Sequence, residues 1–115
     1  MSTELAAVIT VLADVHAVEH GIAELRTTLG EAKAAPNAER RVWAFQKIWR
    51  HHATTQARLD GITAPGLRRR RAELQCQLDA VHLDAAAAAL RESQRTRGGE
   101  VVDLAEARAR RSGTA

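Results

Sequence analysis

The chain has 115 residues, 17 basic and 14 acidic side chains, a net charge of +3, no tyrosine, one phenylalanine and two tryptophans. That length fits one domain with a modest core, so burial between copies of the chain is a natural further source of stability. No run of about 18 apolar residues occurs, and Met1-Ser2-Thr3-Glu4 places no basic stretch ahead of an apolar one, so neither a membrane span nor a signal peptide is expected and the expected location is the cytoplasm.

Between Thr3 and Leu29 the residues Leu5, Val8, Leu12, Val15, Val18, Ile22, Leu25 and Leu29 recur every three or four positions, the spacing of one face of a helix. Gly30 is the expected stop, followed by a linker from Glu31 to Pro36. Asn37 is a candidate N-cap for a second helix from about Ala38 to Asp60, ended by Gly61. Its expected buried face is Val42, Phe45, Ile48, Trp49, His52 and Leu59.

Thr63 and Pro65 can open a third helix, with proline in the first turn where its missing N–H costs nothing. The pattern then runs to about Arg97, ahead of Gly98-Gly99. At about 100° per residue, Leu67, Leu74, Leu78, Val81, Ala85 and Ala88 share one face, while Cys76, Leu83 and Leu90 form a second stripe nearly opposite. One stripe belongs to the chain's own core; the other suits a second copy of the chain, because symmetric dimers are the commonest oligomers, or a bundle in which the third helix is central. Val101, Val102, Leu104 and Ala105, followed by Arg108, Arg110 and Arg111, form a short helical or disordered tail whose spacing would suit docking into a groove. The expected architecture is an all-α bundle of three main helices, a helical hairpin plus a long third helix, with residues 1–97 as one domain and 98–115 as a basic tail.

Residues 1–35 carry two basic and five acidic groups, and residues 36–60 carry five basic and two acidic groups, so the first two helices should attract each other. All basic residues except Lys33 and Lys47 are arginine, a side chain suited to flat bidentate partners such as phosphate or carboxylate. Arg40, Lys47 and Arg58 project from one face of the second helix, flanked by Trp43, Arg50 and His51. A cationic stripe with an indole at its edge can meet an acidic protein surface, or neutralise phosphates and stack on a base; it can equally be the solvated back of an amphipathic helix.

Catalytic chemistry has little to stand on. No phosphate-binding glycine pattern and no Ser/His/Asp set can be read from the sequence, and no small-molecule substrate or cofactor is implied. His16-Ala17-Val18-Glu19-His20 matches the H-x-x-E-H spacing of a zinc peptidase, with two histidines one turn apart beside a glutamate able to act as base. A peptidase needs a third ligand and a cleft as well, so His16, Glu19 and His20 are read as boundary residues of an amphipathic helix and as weak metal candidates only. Asp79 and His82 also have a ligand spacing, but the paired glutamates of metal-binding bundles are absent. Lone Cys76 forms no internal disulfide and no zinc motif. His52 is expected to be at least partly buried among Phe45, Trp49 and Leu59.

The segment ARLDGITAPGLRRRRAEL, Ala57 to Leu74, resembles the helix-turn-helix of bacterial DNA-binding regulators: Ala57 four residues before the turn Gly61, then Ile62, Thr63, Pro65, Leu67 and an arginine-rich second helix. The resemblance covers under a fifth of the chain. It implies that the second helix enters the major groove with Thr63, Ala64, Arg68 and Arg69 toward DNA. The sequence departs from the motif at Arg70 and Arg71, where a buried leucine or isoleucine is usual. Three readings follow: a non-enzymatic, self-associating interaction protein with an arginine-rich face for an acidic partner; a DNA-binding regulator using residues 57–74; or a metal-binding helical protein centred on His16, Glu19 and His20.

Overall fold

In a computed structural model that describes the backbone of residues 3–113 and the side chains of residues 3–95, the chain forms three α-helices and, among the described residues, no strand. They are α1 (Thr3–Ala34), α2 (Ala38–Asp60) and α3 (Arg68–Gly113), with a 3₁₀ turn at Pro65–Leu67. The chain divides into two compact units, Met1–Ala85 and Ala86–Ala115. The first holds all of α1 and α2 and the start of α3; the second is helical from Ala86 to Gly113. The all-α class expected from the periodicity is what forms.

Local chemistry explains most boundaries. Asn37 is extended (φ −147°, ψ 165°) and its Oδ1 accepts from the Arg40 N–H at 2.9 Å, satisfying one of the donors that a helix start leaves free. At the other end of α2, the Gly61 N–H donates to the carbonyls of Ala57 and Arg58 at 3.2 and 3.1 Å. Ala64 is held extended ahead of Pro65 (ψ 127°), as the proline ring requires, and the 3₁₀ turn precedes the α-helix proper.

Two expected ends differ. Gly30 does not stop α1: the helix continues to Ala34, seats Ala32 in the core at 1% exposure, and halts just before Pro36. Gly98-Gly99 do not stop α3, which runs on to Gly113; each glycine costs only about 1 kcal/mol relative to alanine, and Leu104, Ala105, Glu106, Ala107 and Arg108 beyond them favour helix. The tail's apolar spacing, Val101 to Ala105, lies outside the described side chains.

In the first unit the helices pack antiparallel in turn. Gly21 of α1 meets Thr55 of α2, and Glu24 approaches His51, so numbers rise along one helix as they fall along the other. Between α2 and α3, Asp60 faces Arg71, Gln56 faces Gln75, and Trp49 and His52 face His82. Gln56 and Gln75 lock this register: each amide donates to the other's oxygen at 2.8 Å, and to Asp60 and Asp79 respectively at 2.9 Å. The core is Val18, Ile22 and Leu25 of α1, Ile48 and Leu59 of α2, and Leu74 and Leu78 of α3, each essentially without solvent contact.

The expected buried faces need two corrections. In α1, Val15, Val18, Ile22, Leu25 and Leu29 are buried, but Leu5, Val8 and Leu12, with Ile9, are 45–58% exposed. Gly21 lies opposite Thr55, Glu24 opposite His51 and Glu19 opposite Arg70, so the end of α2 and the start of α3 come level with about residue 16 of α1, and the helix's first turns extend past both partners. In α2 the buried residues are Ala44, Ile48, Thr55 and Leu59, while Val42 is 53% exposed and Trp49 36%. Small residues line the α1–α2 contact, Gly21 against Thr55 and the buried Ala32 and Ala44 toward its other end, and Phe45, Trp49 and His52 are left on the flank beside α3.

Candidate partner-binding face of the second helix

Arg40, Trp43, Lys47 and Arg50 follow one another at intervals of three, four and three along α2, so they form a single stripe spanning about 15 Å of helix. The stripe lies away from the buried residues Ile48 and Leu59. Trp43 is 59% exposed, and the Lys47 Nζ sits 5.4 Å from the centre of its ring, a cation–π contact that holds the indole and ammonium together at the surface. Among the described residues, Arg40, Arg50 and Arg58 have exposed side chains and form no ion pair. Beside Arg40 and Trp43, the corner between α1 and α2 holds an open groove of about 870 Å³, walled by Pro36, Asn37, Val42 and Gln46 among others.

The four consecutive arginines have a different fate. Arg70 reaches Glu19 of α1 at 3.3 Å and Glu73 at 3.1 Å; its hydrogen bonds to Glu73 and then Glu19 hold the guanidinium more firmly protonated than usual. Arg71 lies 3.9 Å from Asp60, and Arg69 lies 3.7 Å from Glu73. Arg68 alone of the four has no carboxylate neighbour among the described residues. Consecutive helical residues point in different directions, and three of these four find acids, Arg69 and Arg70 on their own helix and Arg70 and Arg71 across to α1 and α2.

Residues 57–74 form the closed end of the antiparallel α2–α3 hairpin. The two helices stay in register from Asp60/Arg71 to Trp49/His82, eleven residues or about 16 Å along each. Helix-turn-helix pairs instead cross at about 90–120°. Thr63, Arg68 and Arg69 are exposed and Ala64 is half-buried.

The histidine motif of α1 is divided among structural contacts. His16 is exposed, Glu19 pairs with Arg70, and His20 Nε2 lies 3.1 Å from Glu24. No group of three or more His, Cys, Asp or Glu that could hold a metal ion occurs among the described residues. The proposed self-association residues Cys76 and Leu83 are exposed in the first unit, Leu83 at 68%, and Leu90 is 59% exposed in the second.

One cluster had no complete sequence signal. The rings of His52 and His82 lie 4.2 Å apart, Trp49 packs edge-on to His82 at 5.5 Å, and Phe45 stacks on Trp49 at 6.4 Å. His52 Nε2 and His82 Nδ1 are buried with no hydrogen-bond partner. Burial and the neighbouring His82 push the His52 pKa below its ordinary value of 6.5, with Asp79 pulling the other way. Helical angles placed His52 near Trp49, but only the α2–α3 register could bring in His82. No family model, curated protein or solved structure matches the chain.

Proposed function

We propose that this protein is a non-enzymatic interaction module that presents the α2 stripe to an acidic partner. The observation that carries the reading is the contrast in charge pairing: Arg40 and Arg50 form no ion pair and flank an exposed indole held by Lys47, whereas Arg69, Arg70 and Arg71 are paired within the fold. Unpaired guanidinium groups beside an aromatic ring have the composition of interface anchors, where arginine and tryptophan are enriched.

The same reading includes self-association, supported by the exposure of Leu83 and Leu90, and a cytoplasmic location. A monomer throughout sedimentation analysis to high concentration would remove the first. The second has a competitor in α1, which has the length and composition of a membrane-crossing helix over an 18-residue window of mean hydropathy 1.5, 17% of it buried; recovery of the chain in the membrane fraction would replace it.

The test of the partner class is a fluorescence-anisotropy titration at low and moderate salt with a labelled glutamate-rich peptide and a labelled mixed-sequence DNA duplex. Salt-sensitive binding of the peptide that is lost in an Arg40→Ala/Arg50→Ala variant supports the proposal. Stronger binding of the duplex would favour the nucleic-acid alternative, for which Trp43 beside Lys47 is a stacking platform. If that binding were sequence-selective and weakened by Arg69→Ala, it would favour the helix-turn-helix form of that alternative. Absence of binding to both at low salt ends the proposal.

A further inference from the structure

Resting on that reading, we infer that the partner is a protein segment carrying an apolar side chain next to its acidic residues, with the apolar side chain seated in the groove at the α1–α2 corner. The groove's volume of about 870 Å³ falls within the range of sites that enclose organic groups. Its wall includes two large apolar side chains that the bundle leaves outside, Val42 at 53% and Trp43 at 59% exposure, next to the fixed ring of Pro36. Val42 and Trp43 both line the groove, which is closed on its other side by the turn at Ala34, Ala35 and Pro36. A polyanion without apolar groups would leave this wall wet.

Charge fixes the direction in which such a segment lies. Glu31 and Glu39 line the groove along with Arg40, so carboxylates are disfavoured at the corner itself. Beyond the corner, Lys47 and Arg50 extend the positive charge along α2, Arg50 about 10 Å beyond Trp43 along the axis. The apolar anchor therefore enters at the corner, and the acidic residues run toward Arg50. Nucleic acid matches this arrangement less well, because its charge is continuous and would have to pass Glu31 and Glu39.

The test uses two labelled peptides of equal length and charge on the full chain, both rich in glutamate: one has leucines at helical i, i+4 spacing at one end, and in the other those leucines are alanine. The leucine peptide is expected to bind at least about tenfold more tightly, the free-energy scale of one buried leucine side chain. A Val42→Ser variant, checked for helicity by circular dichroism, is expected to bring the leucine peptide down to the alanine peptide's affinity while leaving the alanine peptide unchanged. Equal binding of the two peptides would overturn the inference and leave the acidic-partner reading standing. A DNA duplex that outcompetes the leucine peptide would also overturn it. Failure of both peptides to bind at low salt would end the acidic-partner reading with it.

Discussion

The cationic stripe of α2 and the arginine run of α3 are both dense in positive charge, yet they do opposite things. Arg68-Arg69-Arg70-Arg71 is the more conspicuous in the sequence, but helical geometry scatters it and Glu19, Glu73 and Asp60 take up three of its four members. Arg40, Lys47 and Arg50 are spread over eleven residues, yet the helix gathers them on one side with an exposed Trp43. Charge density along a chain is thus a poor guide to charge available at a surface; the relevant quantity is the number of cations that share a face and form no ion pair.

The largest effect that would disturb this contrast is expected from Gly21→Ala. A Cβ there would lie 2.5 Å from Thr55 Oγ1 and 3.1 Å from its Cγ2, and Thr55 is buried. Overpacking of about 1–3 kcal/mol outweighs the gain of up to about 1 kcal/mol in helix propensity, so chemical denaturation should show a lower stability, by about 1–2 kcal/mol. An unchanged or raised stability would mean that α1 and α2 do not meet at this point.

Removing Arg40 and Arg50 together should weaken binding of an acidic peptide by about tenfold, close to 1.4 kcal/mol, with no change in melting temperature, because neither side chain has an internal partner. A fall in thermal stability in that variant would place these arginines among the structural ones.

Acid provides an intermediate effect that acts on the scaffold. Because the folded pKa of His52 lies below 6.5, the unfolded chain takes up this proton first as pH falls. The contribution of neutral His52 is therefore complete above pH 6.5 and declines below it, toward the lower folded pKa. Melting temperature measured between pH 7.5 and 5.5 should drop on the acid side, and His52→Phe should flatten the drop. A variant with the wild-type slope would assign the pH dependence to other groups.

The smallest effect belongs to the arginine run. Arg70→Ala should lower the melting temperature slightly, and less so in high salt, since its pairs with Glu19 and Glu73 are partly solvated and screened. Loss of stability that persists in 1 M salt would mean that packing of the Arg70 stem is what matters.

Much of this molecule could be read from its sequence, because capping and periodicity are local. Asn37, Gly61 and Pro65 mark turns by their own backbone chemistry, and the Leu74-Leu78-Val81-Ala85 face of α3 is the buried one. The misread features depend on partners. Gly30 resembles a stop until Ala32 beyond it is needed in the core, and α2 buries Thr55 where Gly21 allows close contact. For the candidate site, spacing alone gives a face of Arg40, Lys47 and Arg58 with Trp43, Arg50 and His51 at its flank. The pairs of Arg69 and Arg70 with Glu73 are local, at i+4 and i+3, but those of Arg70 with Glu19 and of Arg71 with Asp60 depend on which helices meet, and the same holds for the groove formed where two helices meet at Pro36.

The most direct test of the contrast between the two cationic regions removes the same amount of charge from each. Binding of a labelled glutamate-rich peptide should be measured by anisotropy at low salt for Arg40→Ala/Arg50→Ala and for Arg69→Ala/Arg71→Ala. If the α2 stripe is the free face, the first variant loses about tenfold in affinity and the second stays within about twofold of wild type, the residue of its changed net charge. Equal losses, or a larger loss in the second, would contradict the assignment and return the arginine run to the binding surface.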